Sequence, residues 1–276
     1  MNLPEKGPKG KTSGPGTVLE GILAETRGRL PAILARRKSL EAAAERRPAP
    51  PSFRGALTGS GVALIAEVKR RSPSAGIIAA DLDPAAHAAV YVRAGAAAVS
   101  VLTELNHFGG SLADLEMVAA RVGVPVLRKD FIIDEVQLLE ARAAGAAAAL
   151  LIVRALPARR LRELLDFSEG LGLGALVETH TAAEVDLALE AGAGVIGVNS
   201  RDLDTFEVNV DRAWELLGQI PPDRAAVAES GMANGADVAR AAGAGADAVL
   251  IGGALSALPD PAALVREITG AIRRGR

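Results

Sequence analysis

The 276-residue sequence predicts an α/β fold: a parallel sheet closed into a (β/α)8 (TIM) barrel, behind an extra N-terminal helical segment. Three observations carry this. Eight apolar, strand-like runs alternate with eight helical stretches, and parallel strands need a crossover between them. The triplets Ala94-Gly95-Ala96, Ala144-Gly145-Ala146, Ala191-Gly192-Ala193 and Ala242-Gly243-Ala244 end a helix ahead of every second strand, so a unit recurs roughly every 50 residues. Residues able to do chemistry gather just after the runs, at the end of the strands where such barrels work. A doubly wound open sheet is the alternative topology.

In chain order, residues 1–16 are rich in Gly, Pro, Lys and Ser without periodicity, as a disordered leader would be. Residues 17–276 are expected to form one domain, opening with a helical extension over about 17–60. There Val18, Ile22, Ile33, Leu34 and Leu40 recur among charges, with a break at Pro31 and an end at Pro48-Ala49-Pro50-Pro51. The runs follow at Ala63–Val68, Ala98–Leu102, Val124–Leu127, Ala148–Val153, Gly174–Val177, Val195–Val198, Ala225–Ala228 and Ala248–Ile251. Helical stretches lie near 84–94, 111–121, 132–144, 157–171, 181–191, 209–218, 234–243 and 261–273.

Composition narrows the function. Apolar residues make up 49% and aromatics 3%, so the core is built from Ala, Val, Leu and Ile. A net charge of −2 gives no footprint for nucleic acid or an anionic membrane. There is no cysteine, which removes disulfides and thiolate chemistry. No apolar run reaches the roughly 18 residues that span a bilayer, and no signal peptide opens the chain. A soluble cytoplasmic protein is expected. Of 31 basic residues 25 are Arg, and beyond the leader only Lys38, Lys69 and Lys129 remain as Lys. Where a cation alone suffices Arg serves; Lys can also be tuned to donate a proton.

Glu67 and Lys69 stand two apart at the end of the first run, and on a strand such side chains share a face. A strand buried on both faces has no packing reason to aim a carboxylate and an ammonium into one space, although an internal ion pair is the plainer alternative. The third run leads into Arg128-Lys129-Asp130-Phe131, the fifth into Glu178 and the sixth into Asn199-Ser200-Arg201. The seventh leads into Glu229-Ser230-Gly231 and the eighth into Gly252-Gly253. Loops after the last two strands of such barrels often hold phosphate. Ser72 and Gly76, after the first run, can complete that cradle. His87, His107 and His180 share no ligand spacing, so no metal site is expected. No Rossmann or P-loop motif is present.

These residues also carry a family resemblance. The stretch Ile65-Ala66-Glu67-Val68-Lys69-Arg70-Arg71-Ser72-Pro73-Ser74-Ala75-Gly76 resembles the first-strand signature of the indole-3-glycerol-phosphate synthases. So do Phe108-Gly109-Gly110-Ser111-Leu112, Leu127-Arg128-Lys129-Asp130-Phe131-Ile132, Leu176-Val177-Glu178-Thr179-His180, Gly197-Val198-Asn199-Ser200-Arg201-Asp202-Leu203 and Ala228-Glu229-Ser230-Gly231-Met232. The resemblance covers roughly residues 17–270. It implies a carboxy-lyase of tryptophan biosynthesis, without cofactor, that closes the indole ring of 1-(2-carboxyphenylamino)-1-deoxyribulose 5-phosphate.

By resemblance Lys129 is the main general acid, Glu178 the base and Lys69 a second acid paired with Glu67. Asn199 orients reacting groups, Arg201 positions the substrate, and Glu229 and Ser230 line the mouth. Phe108 and Phe131 flank the aromatic ring; Ser72, Gly231, Gly252 and Gly253 take the phosphate. Ser200 replaces a second Asn, His107 a usual aromatic, and Gly252-Gly253-Ala254-Leu255-Ser256 departs from the family texture, which leaves a specialised paralogue open. The other readings are a phosphoribosylanthranilate isomerase-like barrel and a silent barrel that only binds. The expected partner is a small phosphorylated substrate, on a monomer or weak homo-oligomer.

Overall fold

Eight parallel strands form where the apolar runs fall: β1 Ala63–Val68, β2 Ala98–Leu102, β3 Val126–Lys129, β4 Ala148–Ile152, β5 Gly174–Thr179, β6 Val195–Asn199, β7 Ala225–Glu229 and β8 Ala248–Ile251. Each pairs with its sequence neighbour, and β1 closes the barrel on β8, with Ala63 opposite Ala248 and Ile65 opposite Leu250. The structure is a computed structural model describing residues 16–271, so the expected leader, apart from Gly16, lies outside the described residues.

The helices are α1 Val18–Leu34, α2 Arg37–Glu45, α3 Phe53–Leu57, α4 Pro84–Arg93, α5 Leu112–Arg121, α6 Glu135–Ala144, α7 Ala158–Gly170, α8 Ala182–Glu190, α9 Val210–Leu217, α10 Gly235–Gly243, α11 Gly253–Ser256 and α12 Ala262–Thr269. Polar N-caps start most of them: Thr17 forms a capping box with Glu20, and Asp83, Ser111 and Thr181 accept from first-turn N–H groups. Among the described residues, no helix is long and apolar enough to cross a membrane.

Three sequence expectations are corrected. Pro31 does not break α1; it lies inside the helix, the Ala35 N–H still reaches its carbonyl at 3.1 Å, and the chain turns at Ala35-Arg36 instead. Strands β3, β5, β6 and β7 run past the ends of their apolar runs and take Lys129, Glu178, Asn199 and Glu229 into the ladder. Hydropathy stops at the first polar side chain, whereas backbone pairing does not: Leu102 still faces Lys129 and Asn199 faces Glu229. The fourth repeat is offset. Gly95, Gly145 and Gly192 hold left-handed φ of 115°, 96° and 90°, but in the last unit Gly245 does so (105°), while Gly243 ends the helix.

Alternation along each strand separates two apolar layers. Outward residues such as Leu64, Ala66, Val99 and Val101 pack with Leu115, Val118 and other helix residues. Inward residues such as Ile65, Leu127, Leu150, Leu176, Val227 and Leu250 fill the barrel. The N-terminal extension joins that inner core at both ends. Phe53 and Leu57 of α3 lie below it, where Phe53 touches the start of β5 at Gly174. Leu19, Ile22 and Leu23 of α1 lie above it, beside Phe131, Phe108 and Leu203.

Candidate active site

Inward alternation decides what the barrel presents at its working end. On β1, β3, β5 and β7 the inward residues Ile65, Leu127, Leu176 and Val227 are each followed two positions later by Glu67, Lys129, Glu178 and Glu229. Layers drawn from alternate strands are the rule in such barrels. Here the uppermost layer is ionisable: one ammonium and three carboxyls on an apolar floor.

The groups pair closely. Lys129 Nζ lies 3.4 Å from Glu178 Oε2 and 3.8 Å from Glu229 Oε2. Lys69, just beyond β1, places Nζ 3.3 Å from Glu67 Oε1 and 5.7 Å from the Phe108 ring centre. Ser100 donates to the other Glu67 oxygen at 3.3 Å. Burial would lower the Lys129 pKa, but Glu178, Glu229 and Glu67 together raise it above the ordinary lysine range. Burial also pushes Glu178 up, yet Lys129, His180 and Asn199 hold it below the usual carboxylate range. For Glu229, burial and then repulsion from Glu178 win, and its pKa lies well above the usual value. Within this carboxyl pair the surroundings thus push in opposite directions, Glu178 down and Glu229 up.

A cavity of about 360 Å³ stands over this layer, and the fourteen residues to which the family resemblance assigns roles all line it. Phe108 and Phe131, 6.3 Å apart between ring centres, form an aromatic side with Leu203. Ser72, Ser230-Gly231 and Gly252-Gly253 form the glycine-rich side. Ser230 and Gly231 both adopt left-handed φ, 66° and 74°, and Gly252 N-caps the four-residue α11. Arg201 holds the loop after β6 by donating to the Phe206 carbonyl at 3.0 Å, and Asn199 accepts from the Arg201 N–H at 3.0 Å. Gly76 does not reach the cavity: it turns a small hairpin, Arg71–Ser72 with Gly76–Ile77, at φ 67°. Gly252 has a second reason to lack a side chain, because a Cβ there would strike the Glu67 carboxylate.

Several site residues went unnoticed in the sequence. Gly197 makes room for the Glu229 carboxyl. Ser256 Oγ donates to the Glu67 carbonyl at 2.9 Å and accepts from the Lys69 N–H at 3.1 Å, tying α11 to the end of β1. No local signal marks either residue. Glu104 stands two residues past the second run, close to where Glu178 follows the fifth, so the strand-end pattern could have found it. Its carboxylate accepts from the N–H groups of Asn106, His107 and Phe108 at 3.0, 2.7 and 3.0 Å and shapes the loop presenting Phe108. His107 is less isolated than its spacing suggests: ligand-type atoms of Glu25, Glu104 and His107 lie within 4.8 Å of one another. Glu104 already spends its oxygens on the loop. His180 repeats, after Glu178, the two-residue spacing of Glu67 and Lys69.

The fold and site define a (β/α)8-barrel enzyme with paired acids and bases at its strand ends. Solved structures of 3-hexulose-6-phosphate synthase share the barrel: one is 17% identical with a TM-score of 0.61, covering 76% of this chain and 100% of that one. The Salmonella typhimurium enzyme of that name also has a TM-score of 0.61 at 17% identity, covering 75% of this chain and 97% of that one. At that identity the likeness is one of fold. Sequence relatives go further. The family model described as indole-3-glycerol phosphate synthase matches residues 19–268. The protein of that name from Mycolicibacterium vanbaalenii is 48% identical over 92% of this chain and 93% of its own length. One from a Parafrankia species is 49% identical over 92% and 94%. This chain belongs to the indole-3-glycerol phosphate synthase family.

Proposed function

We propose that the protein converts 1-(2-carboxyphenylamino)-1-deoxyribulose 5-phosphate into indole-3-glycerol phosphate, carbon dioxide and water, as a carboxy-lyase needing no cofactor. One observation carries the reading beyond family membership: two lysines, each against a buried carboxylate, converge on a single cavity with an aromatic side and a glycine-rich side. A phosphorylated sugar bearing an aromatic acid fits that division. The phosphate lies against Ser72, Gly231 and the Gly252-Gly253 turn, whose N–H groups suit an anion. The ring lies against Phe108 and Phe131. Holding both ends brings the ring carbon to the C2′ carbonyl.

As the carbon–carbon bond forms, the carbonyl π pair moves to oxygen and Lys129 protonates it. An alkoxide is basic enough to take a proton even from an ammonium whose pKa is raised. Carbon dioxide leaves, and its bonding pair restores the aromatic ring. In dehydration Lys69 protonates the departing C2′ hydroxyl while Glu178, the anionic carboxylate, takes the C1′ proton. Glu229, its pKa raised, can donate to substrate oxygen, Ser230 lines the mouth beside it, and Asn199 and Arg201 orient the reacting groups. Two protons are given and one is taken, so one enters from solvent per turnover. All fourteen residues come from one chain, so a monomer suffices.

Mixing chelator-treated protein with the substrate, without nucleotide, should produce indole fluorescence at catalytic protein concentrations. Tight binding without fluorescence would establish the silent barrel instead. Loss of turnover with the chelator, restored by a divalent cation, would overturn the cofactor-free mechanism. An isomerase-like barrel needs only one acid and one base, so it leaves the second lysine–carboxylate pair unexplained.

A further inference from the structure

The proton balance of the ring closure raises a question of access. Glu178 is only 1% exposed, and the mouth of its cavity is filled by substrate during turnover. Yet Glu178 must shed a proton each cycle, and the lysines must regain two. Behind Glu178, on the side away from the substrate, lies His180. Its Nε2 is 3.6 Å from Glu178 Oε1 and its Nδ1 is 3.4 Å from Glu184 Oε2, with the imidazole side chain 5% exposed. The ring thus sits between two carboxylates, one in the catalytic layer and one on α8.

Beyond it is a second cleft, of about 320 Å³, lined by His180, Arg154, Asp202, Thr205, Asn209 and Arg212 among others. Thr205, Asn209 and Arg212 are exposed, so the cleft reaches the surface. Asn199 lines both cavities and is the partition between them. Arg154, from the turn after β4, lies 3.7 Å from Glu184 and 3.3 Å from Asp202, which fixes the carboxylate on the far side of the imidazole. The charged groups around His180 and its cleft are thus Glu178 from β5, Glu184 from α8, Arg154 after β4, Asp202, Asp204 and Glu207 after β6 and Arg212 from α9, with Lys129 and Glu229 beyond Glu178.

We propose that His180 is a proton-relay and positioning residue, linking Glu178 to solvent through Glu184 and this second cleft; the proposal rests on the ring-closing reading above. A proton reaching Nδ1 from the Glu184 side makes the imidazolium, which releases the proton on Nε2 to Glu178 Oε1. A turn of the carboxyl about its Cγ–Cδ bond brings that proton to the oxygen beside Lys129, and Glu178 passes it to the amine, 3.4 Å away. Run backwards, the same path discharges Glu178 after dehydration. Only protons and lone pairs move: per turnover one proton enters by this path to Lys129 and one leaves from Glu178, while Lys69, partly exposed at the mouth, regains from solvent the one net proton that the reaction consumes.

The test compares wild type with His180→Gln, His180→Ala and Glu184→Gln in the fluorescence assay across pH, with melting curves for each. Glu184→Gln keeps an oxygen for the His180 backbone N–H, which donates to the Glu184 carboxylate at 2.7 Å. In His180→Gln we expect kcat to fall about tenfold with KM within about twofold, less than the roughly 10²–10⁴-fold of direct acid–base groups because this one acts through another. The loss should grow as pH rises and protons become scarce, and the solvent deuterium isotope effect on kcat should increase. Added imidazole should restore His180→Ala, and Glu184→Gln should show the same pH trend more weakly. A wild-type rate and pH profile in His180→Gln overturns the relay. So does a loss, in folded variants, that appears in KM, ignores pH and is not rescued by imidazole. If the His180 variants do not fold, a wild-type pH profile in Glu184→Gln overturns it. No turnover by the wild type overturns the ring-closing reading and the relay with it, which separates the two failures.

Discussion

Lys129 occupies a position that packing alone does not explain. An ammonium among three carboxyls, with its pKa raised against its own burial, is held charged for a purpose. Lys129→Ala should lower kcat about 10³-fold while circular dichroism shows the fold intact. Lys69→Ala should cost less, about tenfold to 10²-fold, because its lysine serves only the later dehydration. A larger loss at Lys69 would reverse the two assignments. Glu229 supports a stability prediction of opposite sign. Its raised pKa costs nothing at low pH, where the carboxyl is protonated in folded and unfolded chains alike. The cost appears once pH rises above the unfolded value and grows toward the folded one. Glu229→Gln should therefore stabilise the protein at pH 8 by about 1 kcal/mol, roughly 2–4 °C in melting temperature, with the gain gone near pH 4.

The strand and its following turn set where these groups point. On β1 one alternation sends Ile65 into the barrel floor and Glu67 into the site, and Lys69 follows as the strand ends. The turn after β8 then locks that end through Ser256 and makes room for Glu67 at Gly252. Gly252→Ala should leave the barrel folded but push the Glu67 carboxylate from Lys69. Its kcat loss should then be less than additive with that of Lys69→Ala, as a double-mutant cycle would measure. Full additivity would mean that Gly252 acts on the phosphate alone. The extension is less legible at this level. Its helical spacing was plain, but α1 and α3 close opposite ends of the barrel, and nothing local says which end each one covers.

Across the molecule, one closed sheet supports everything else. Leu176 lies in the apolar layer beneath the charges, fully buried, and Leu176→Ala should cost about 2–5 kcal/mol in chemical denaturation. The architecture was legible because it is periodic: apolar runs, crossover helices and left-handed glycines repeat along the chain. The fourteen cavity residues were legible because charge at the end of an apolar run is conspicuous and the motifs matched a family. Ser256 and Gly197 were not, since each matters through a neighbour distant in sequence; Glu104 and His180 did carry local strand-end spacings, with partners two to four residues away, but nothing in those spacings tells a loop-shaping carboxylate or a second cleft from a cap. The sequence by itself determined the barrel, the strand ends and the residue types that converge there, because hydrophobic periodicity is local. Only the tertiary structure decided that the Glu229 pKa is pushed up while that of Glu178 is held down, and that a second cleft backs the base. Both depend on distances and burial, which exist only once the sheet has closed.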